Sequence, residues 1–275
     1  MGILDGKVAF ITGAGRGQGR SHAVRFAHEG ADIIAVDTTA KVGSVPYALA
    51  DAADLAETVR QVEATGRRIV ARDADVRDYA ALAGAVSDGM AAFGRLDIVV
   101  ANAGISSPAP TLEMDEDVWQ DMIDINLTGV WKSLKAAVPH LIEGGRGGSV
   151  VITSSLAAFH ANENTAHYSA SKAGLVMLMK VLAKELAPHN IRVNTVHPTT
   201  VATEMILNDA TYRLFRPDLE SPGRADFEEA ARTLNRLPVA ALEPEDITAT
   251  VLHLVSDAAR YVTGTTQLVD AGGAL

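Results

Sequence analysis

Tyr168 is followed four positions later by Lys172 and preceded by thirteen by Ser155. Residues four apart on a helix share a face, so the lysine ammonium can stand beside the phenol. A neighbouring cation favours phenolate and draws the phenol down from about 10 toward working pH. A tyrosine so placed can exchange a proton with an alcohol or carbonyl oxygen. Short spacings also recur by chance, so the surrounding sequence must carry the assignment.

The strongest second signal is Thr12-Gly13-Ala14-Gly15-Arg16-Gly17-Gln18-Gly19, directly after the first apolar run. Glycines let a backbone turn sharply and approach a pyrophosphate, which then sits on a helix N-terminus. Asp37 closes the second apolar run, where a carboxylate accepts from the adenosine ribose and repels a 2′-phosphate. Arg16 pulls the other way, but Thr38 and Thr39 follow Asp37 rather than arginine, so NAD is expected over NADP. Asp75-Val76 is placed to cap an adenine, or Asp75 to serve only as a helix N-cap. Asn102-Ala103-Gly104 offers a small-residue turn under a dinucleotide.

These residues need a scaffold, and the hydrophobic pattern supplies one. Short β-branched runs at Val8–Thr12, Asp32–Val36, Arg68–Asp73, Ile98–Ala101, Ser149–Thr153, Arg192–Val196 and Thr266–Val269 read as strands. Helix-length segments alternate with them: Gly19–Glu29, Ala52–Thr65, Tyr79–Phe93, Asp117–Ile142, Ala166–Leu186 and Phe227–Leu234. Such alternation predicts an α/β, Rossmann-type, doubly wound parallel sheet of about seven strands with helices on both faces. No linker or repeat divides the chain, so residues 1–275 are expected to form one dinucleotide-binding domain. Two connections exceed what the units need, 38–51 and 199–237, and long excursions are usually binding loops or lids.

Bulk composition narrows the function. The 275 residues are 48% apolar and 21% charged, with net charge −10, which disfavours nucleic-acid and anionic-membrane partners. There is no cysteine, hence no disulfide framework, thiolate nucleophile or Cys-ligated metal. The eight histidines show no metal-ligand spacing, so no metal site is expected. No leader and no apolar stretch of membrane-spanning length is visible, which predicts a cytoplasmic protein.

The set resembles the short-chain dehydrogenase/reductase family over nearly the whole chain. Its marks occur in order: the Thr12–Gly19 loop, Asn102-Ala103-Gly104, Asn126, Ser155, Tyr168-x-x-x-Lys172, and Tyr261-Val262-Thr263-Gly264 before Val269-Asp270. The resemblance implies four catalytic residues. Tyr168 exchanges the proton, Ser155 orients the substrate oxygen, and Lys172 holds the nicotinamide ribose and lowers the tyrosine. Asn126 holds a water that links Lys172 to solvent. Ser154 competes with Ser155, but only Ser155 has the family's spacing to Tyr168. Where the family usually has Pro-Gly this chain has His197-Pro198-Thr199. Pro198, Val201 and Thr203 are then expected to frame the nicotinamide carboxamide.

The 38–51 insert, together with the Gly13–His22 segment, resembles a narrower branch, carveol-dehydrogenase-like or mycofactocin-coupled. That likeness implies an insert lying over tightly held NAD, with the peptide-derived cofactor mycofactocin as electron partner. A surface loop packed on its own domain is the plain alternative for the insert. Substrate contacts are expected from Met205, Ile206, Leu207, Tyr212, Leu214 and Phe215, with Ile105, Leu156, Phe159 and His160. These suit a hydrophobic secondary alcohol such as a cyclic terpenoid and its ketone. Family likeness also implies a homotetramer, for which the stripe Leu175, Leu178, Met179, Leu182 and Leu186 is compatible, as it is with core packing. An ordinary reductase with exchanging NAD(P)H and a non-catalytic NAD-binding regulator are the competing readings.

Overall fold

All seven β-branched runs become parallel strands of one sheet in the computed structural model, which describes residues 2–275. They are β1 (Val8–Thr12), β2 (Asp32–Asp37), β3 (Ile69–Asp73), β4 (Ile98–Ala101), β5 (Gly148–Thr153), β6 (Ile191–Pro198) and β7 (Thr266–Val269). Their spatial order is β3-β2-β1-β4-β5-β6-β7. The order reverses between β1 and β4, so the connections leaving these strands diverge and open a crevice at their carboxyl ends.

Register carries the alternation through the sheet. Phe10 pairs with Ile34 and Val99, and Val150 with Val193. All five pack toward α3 (Tyr79–Phe93), α5 (Val130–Gly144) and α6 (Ala166–Leu186). The intervening Ile11, Ile33, Val100 and Val151 face the other layer, α1 (Gly17–His28), α2 (Ala52–Ala64) and α9 (Pro244–Val255). Strands covered on both faces are largely apolar, which is why β1, β2, β4 and β5 read as runs rather than alternations. Among the described residues, no helix is long and apolar enough to cross a membrane.

Helix ends follow local chemistry. Asp51 and Asp54 form a reciprocal capping box at the start of α2. Asp78 caps α3 through the Ala80 and Ala81 N–H groups, and Gly94 ends it in the left-handed region at φ 72°.

The structure departs from the sequence expectation at three helices. The single helix expected over 117–142 is α4 (Glu116–Ile123), a π-helical turn at Asp124–Gly129, and then α5. The wide turn presses Gly129 so closely on the β3–α3 loop that a Cβ there would lie 2.7 Å from Val76 Cγ2. Within 199–237 a short helix, α7 (Asp209–Phe215), was not expected, and α8 (Arg224–Arg232) begins three residues earlier than predicted. Asn208 starts α7 by accepting from the Thr211 N–H, and Asp226 starts α8 by accepting from Gly223. The α6 stripe belongs to the domain's own core: Leu175, Met179 and Leu186 are buried, and Leu178 and Leu182 pack against them.

Candidate active site

A cavity of about 790 Å³ opens at the carboxyl ends of the strands, where the sheet order reverses. At its floor the Thr12 hydroxyl accepts from both the Asn102 and Ala103 N–H groups at 3.0 Å. Asn102 Nδ2 donates in turn to the Thr12 carbonyl at 3.1 Å. These bonds tie the glycine loop to the end of β4.

The glycines are required by contact as well as by turn geometry. A Cβ on Gly19 would lie 1.9 Å from the Gly13 carbonyl oxygen, and one on Gly15 2.8 Å from Asp37 Oδ2. Gly13, Arg16, Gly17 and Gln18 line the cavity, whereas Gly15 and Gly19 stand behind the wall. Gln18 Oε1 is buried without a hydrogen-bond partner beside a glycine-lined cradle, and a pyrophosphate there would be met by the amide's Nε2 rather than by that oxygen. Such a cradle at the start of α1 fits a pyrophosphate-bearing dinucleotide.

Asp37 sits at the end of β2, accepting from the Gly15 N–H at 2.7 Å and from Thr38 at 2.8 Å. Burial pushes its carboxyl up, against the pull of those two N–H groups and of Arg16. Asp75 lines the cavity with Val76, yet its carboxylate is held by Arg77 at 2.7 Å. Burial pushes Asp75 up, but the Arg77 bonds outweigh it and leave the group below the usual carboxylate range.

The 38–51 insert is part of this wall. Val42, Pro46, Tyr47 and Leu49 all face the cavity. The Tyr47 hydroxyl accepts from the Ser106 N–H at 3.1 Å, so the insert reaches the loop after β4. Burial raises the Tyr47 phenol above its ordinary value. Arg16 donates to the Ala48 carbonyl and lies 3.9 Å from Glu204 Oε2. Arg16 is thus engaged by the insert and the 199–237 segment. Ser44 adds a third tie, donating to Asp121 Oδ2 at 2.8 Å.

At the other end, Ser155, Tyr168 and Lys172 meet on one wall. Ser155 caps a single 3₁₀ turn, and its Oγ accepts from the Ala157 N–H at 3.1 Å. That bond uses a lone pair and leaves the hydroxyl hydrogen to be donated toward Tyr168 or a substrate oxygen. Ser154 is committed elsewhere, donating to the Lys172 backbone carbonyl at 2.9 Å. Lys172 Nζ donates to the Thr153 carbonyl at 3.0 Å and stands 5.6 Å from the Tyr168 ring centroid. Burial lowers the ammonium to about 8.

The expectation that Lys172 depresses Tyr168 is not met here. Burial dominates and pushes the phenol up, and the opposing pull comes from the Ser155 side chain. The ammonium is turned toward Thr153, and desolvation weighs on a buried phenolate more than a cation at ring distance relieves it.

Asn126 lies in the π-helical turn, behind the wall rather than on it. Its side chain clamps Ile105, with Oδ1 accepting from the Ile105 N–H at 2.8 Å and Nδ2 donating to its carbonyl at 2.9 Å. Gly104 separates Asn126 from Lys172: a Cβ there would lie 3.2 Å from Asn126 Oδ1 and 3.4 Å from Lys172 Nζ.

At the end of β6 and just beyond it, Pro198, Thr199, Val201 and Thr203 line the cavity. Thr203 closes on the glycine loop, where a Cβ on Gly17 would meet its Cγ2 at 3.1 Å. Met205, Ile206, Leu214, Phe215, Ile105, Leu156 and His160 face the cavity as expected. Leu207, Tyr212 and Phe159 do not. Tyr212 stacks on the buried Phe227, and Phe159 lies against His197 with ring centroids 4.8 Å apart. Among the described residues, no cluster of His, Cys, Asp or Glu could hold a metal. Sequence reasoning missed two residues here, Tyr47 as a hydrogen-bond partner and His197. The only signal for His197 was its polar ring beside the altered Pro-Gly position.

A dinucleotide cradle joined to a Ser-Tyr-Lys wall on a doubly wound sheet defines a short-chain oxidoreductase, and the chain belongs to the short-chain dehydrogenase family, whose model matches residues 7–211. Particular relatives agree. The (−)-trans-carveol dehydrogenase of Rhodococcus erythropolis is 51% identical over 276 residues, covering 100% of both chains. The crystal structure of carveol dehydrogenase from Mycobacterium avium in complex with NAD superposes with a TM-score of 0.98 at 53% identity, covering 99% of each chain. A short-chain dehydrogenase from Mycobacterium paratuberculosis, also bound to NAD, gives 0.92 at 46% identity over 99% of each.

Proposed function

We propose that this chain interconverts a hydrophobic cyclic secondary alcohol, carveol-like, and its ketone, using NAD held beneath the 38–51 insert. The observation that carries the reading is one cavity whose inner wall joins the glycine loop, Ser155, Tyr168 and Lys172, and whose outer wall brings Met205, Ile206, Leu214 and Phe215 over them. NAD, when bound, supplies hydride transfer at the substrate carbon. The residues that would hold it are Gly13, Gly17, Gln18, Asp37, Asp75, Asn102, Ala103, Gly104, Lys172, Pro198, Val201 and Thr203. Gly15 and Gly19 shape the loop, and Arg16 holds the insert over it.

The chemistry of the chain itself is proton transfer. The Ser155 hydroxyl orients the substrate oxygen toward Tyr168, which takes its proton during alcohol oxidation and returns it during ketone reduction. Lys172 supplies charge beside the phenol, and Asn126 holds the water that passes the proton outward. Met205, Ile206, Leu214 and Phe215 form an apolar lid that selects cyclic carbon skeletons over polar alcohols.

The insert supports the further view that NAD stays with the protein through turnover and that mycofactocin carries electrons away. Its Tyr47 and Arg16 contacts span the cavity from the Asp37 end to the Ser106 end. A cytoplasmic homotetramer is the working assembly, supported by exposed Trp131 on α5 and exposed Met177 and Val181 on α6.

A panel of secondary alcohols tests the whole reading, with an artificial electron acceptor, on dialysed protein, with and without added NAD. Turnover of carveol and other cyclic alcohols without added NAD is expected. Turnover only with added NAD overturns retention, and preference for short linear or polar alcohols overturns the substrate class.

A further inference from the structure

Ser155 is held from beneath by a buried histidine. His197 lies on β6, fully buried, with Nδ1 2.9 Å from the Ser155 carbonyl oxygen and Nε2 2.7 Å from Thr195 Oγ1. A carbonyl can only accept, so Nδ1 carries the hydrogen and donates. Nε2 of the neutral ring then accepts from the Thr195 hydroxyl, which sits two residues earlier on the same strand face. Both ring nitrogens are used, and the tautomer is fixed.

The ring is also held in its plane. Phe159 packs on it from the outer side. Burial, helped by the Lys172 charge, keeps the imidazole neutral. The Ser155 carbonyl accepts a second bond, from the Ala158 N–H at 3.1 Å, and Ser155 Oγ accepts from Ala157. Two forces therefore fix this serine: its own 3₁₀ turn orients the side chain, and His197 anchors the turn to β6.

We propose that His197 is a positioning residue for catalysis, which sets the height of the Ser155 hydroxyl over the cavity through the Ser155 carbonyl. The inference rests on the reading of Ser155 and Tyr168 as the proton-transfer pair. A hydroxyl displaced by even about 1 Å presents a substrate oxygen badly to Tyr168, and errors of that size cost up to about 100-fold in rate.

Two substitutions separate positioning from mere burial, because each keeps one half of the ring's bonding. In His197→Asn the amide nitrogen can take the place of Nδ1 and donate to Ser155. In His197→Gln the amide can take the place of Nε2 and keep only Thr195. Carveol oxidation with an artificial acceptor gives kcat and KM, and thermal melting reports the loss each variant shares.

H197N is expected to keep kcat within about threefold of wild type, while H197Q loses about tenfold or more at similar KM and melting temperature. Equal kcat in the two variants overturns the proposal. Should neither fold, Phe159→Ala at its exposed site frees the ring from outside; a fall in kcat of about threefold at unchanged KM supports positioning, and unchanged kcat overturns it. Ser155→Ala and Tyr168→Phe run beside them. Full activity in those two variants removes the underlying reading, whatever His197 does.

Discussion

Tyr47, from the insert after β2, accepts a hydrogen bond from the Ser106 N–H in the loop after β4 at 3.1 Å. One phenol thus bridges the two loops on either side of the sheet's switch point. Its position gives the insert a specific means of closing over a dinucleotide, beyond the apolar contacts of Val42 and Leu49.

Tyr47→Phe removes the acceptor and little else. A single intramolecular hydrogen bond is worth about 0.5–1.5 kcal/mol net, so NAD release should quicken by about twofold to tenfold. Stopped-flow fluorescence of NADH displacement measures it directly. An unchanged off-rate would show that the insert's closure does not depend on this phenol.

Asp37 should set cofactor choice by charge. Asp37→Asn keeps the shape and an acceptor oxygen for the Gly15 N–H but deletes the negative charge. Wild type is expected to bind NAD more tightly than NADP, and the variant to narrow that ratio by about tenfold, one such step being about 1.4 kcal/mol. Calorimetric titration with both nucleotides decides it; an identical ratio in the two proteins would return the preference to Arg16 and the loop backbone.

The first glycine turn is packed too tightly for a methyl group. In Gly19→Ala the new Cβ would meet the Gly13 carbonyl oxygen at 1.9 Å and Asn102 Nδ2 at 2.9 Å. Overpacking of this kind costs about 1–3 kcal/mol, and here it also shifts the loop that receives the pyrophosphate. A lower urea midpoint with weakened NAD binding is expected. Wild-type behaviour in both assays would mean that the turn has slack the present geometry does not show.

Much of this was legible in the sequence, for identifiable reasons. The strands declared themselves because a sheet covered on both faces leaves few polar positions inside them. The glycine loop and the Ser155, Tyr168, Lys172 spacing are local patterns, and the fold brings them onto one wall. What stayed hidden depends on distant partners. The wide turn at 124–129 depends on Gly129 meeting Val76, and Tyr47 and His197 find Ser106 and Ser155 across 59 and 42 residues. The direction of the Tyr168 shift was misjudged because a four-residue spacing places Lys172 beside the ring but says nothing of burial.

Acid sensitivity should trace in part to His22, far from the chemistry. Its ring is fully buried between α1 and α9, with Nδ1 2.7 Å from Thr248 Oγ1 and Nε2 without a partner. Burial lowers its pKa from 6.5 to about 3. Between those values the unfolded chain binds a proton that the folded chain refuses, so stability falls as pH drops from about 6.5 toward 3. Above 6.5 both states are neutral at this position and the contribution is flat. The slope is at most about 1.4 kcal/mol per pH unit. Urea unfolding of wild type and His22→Leu from pH 8 to pH 4 isolates this group, since other titrations cancel in the difference. The stability difference, wild type minus variant, should stay constant above pH 6.5 and move against wild type below it; a constant difference throughout would show that His22 is not buried as a neutral ring.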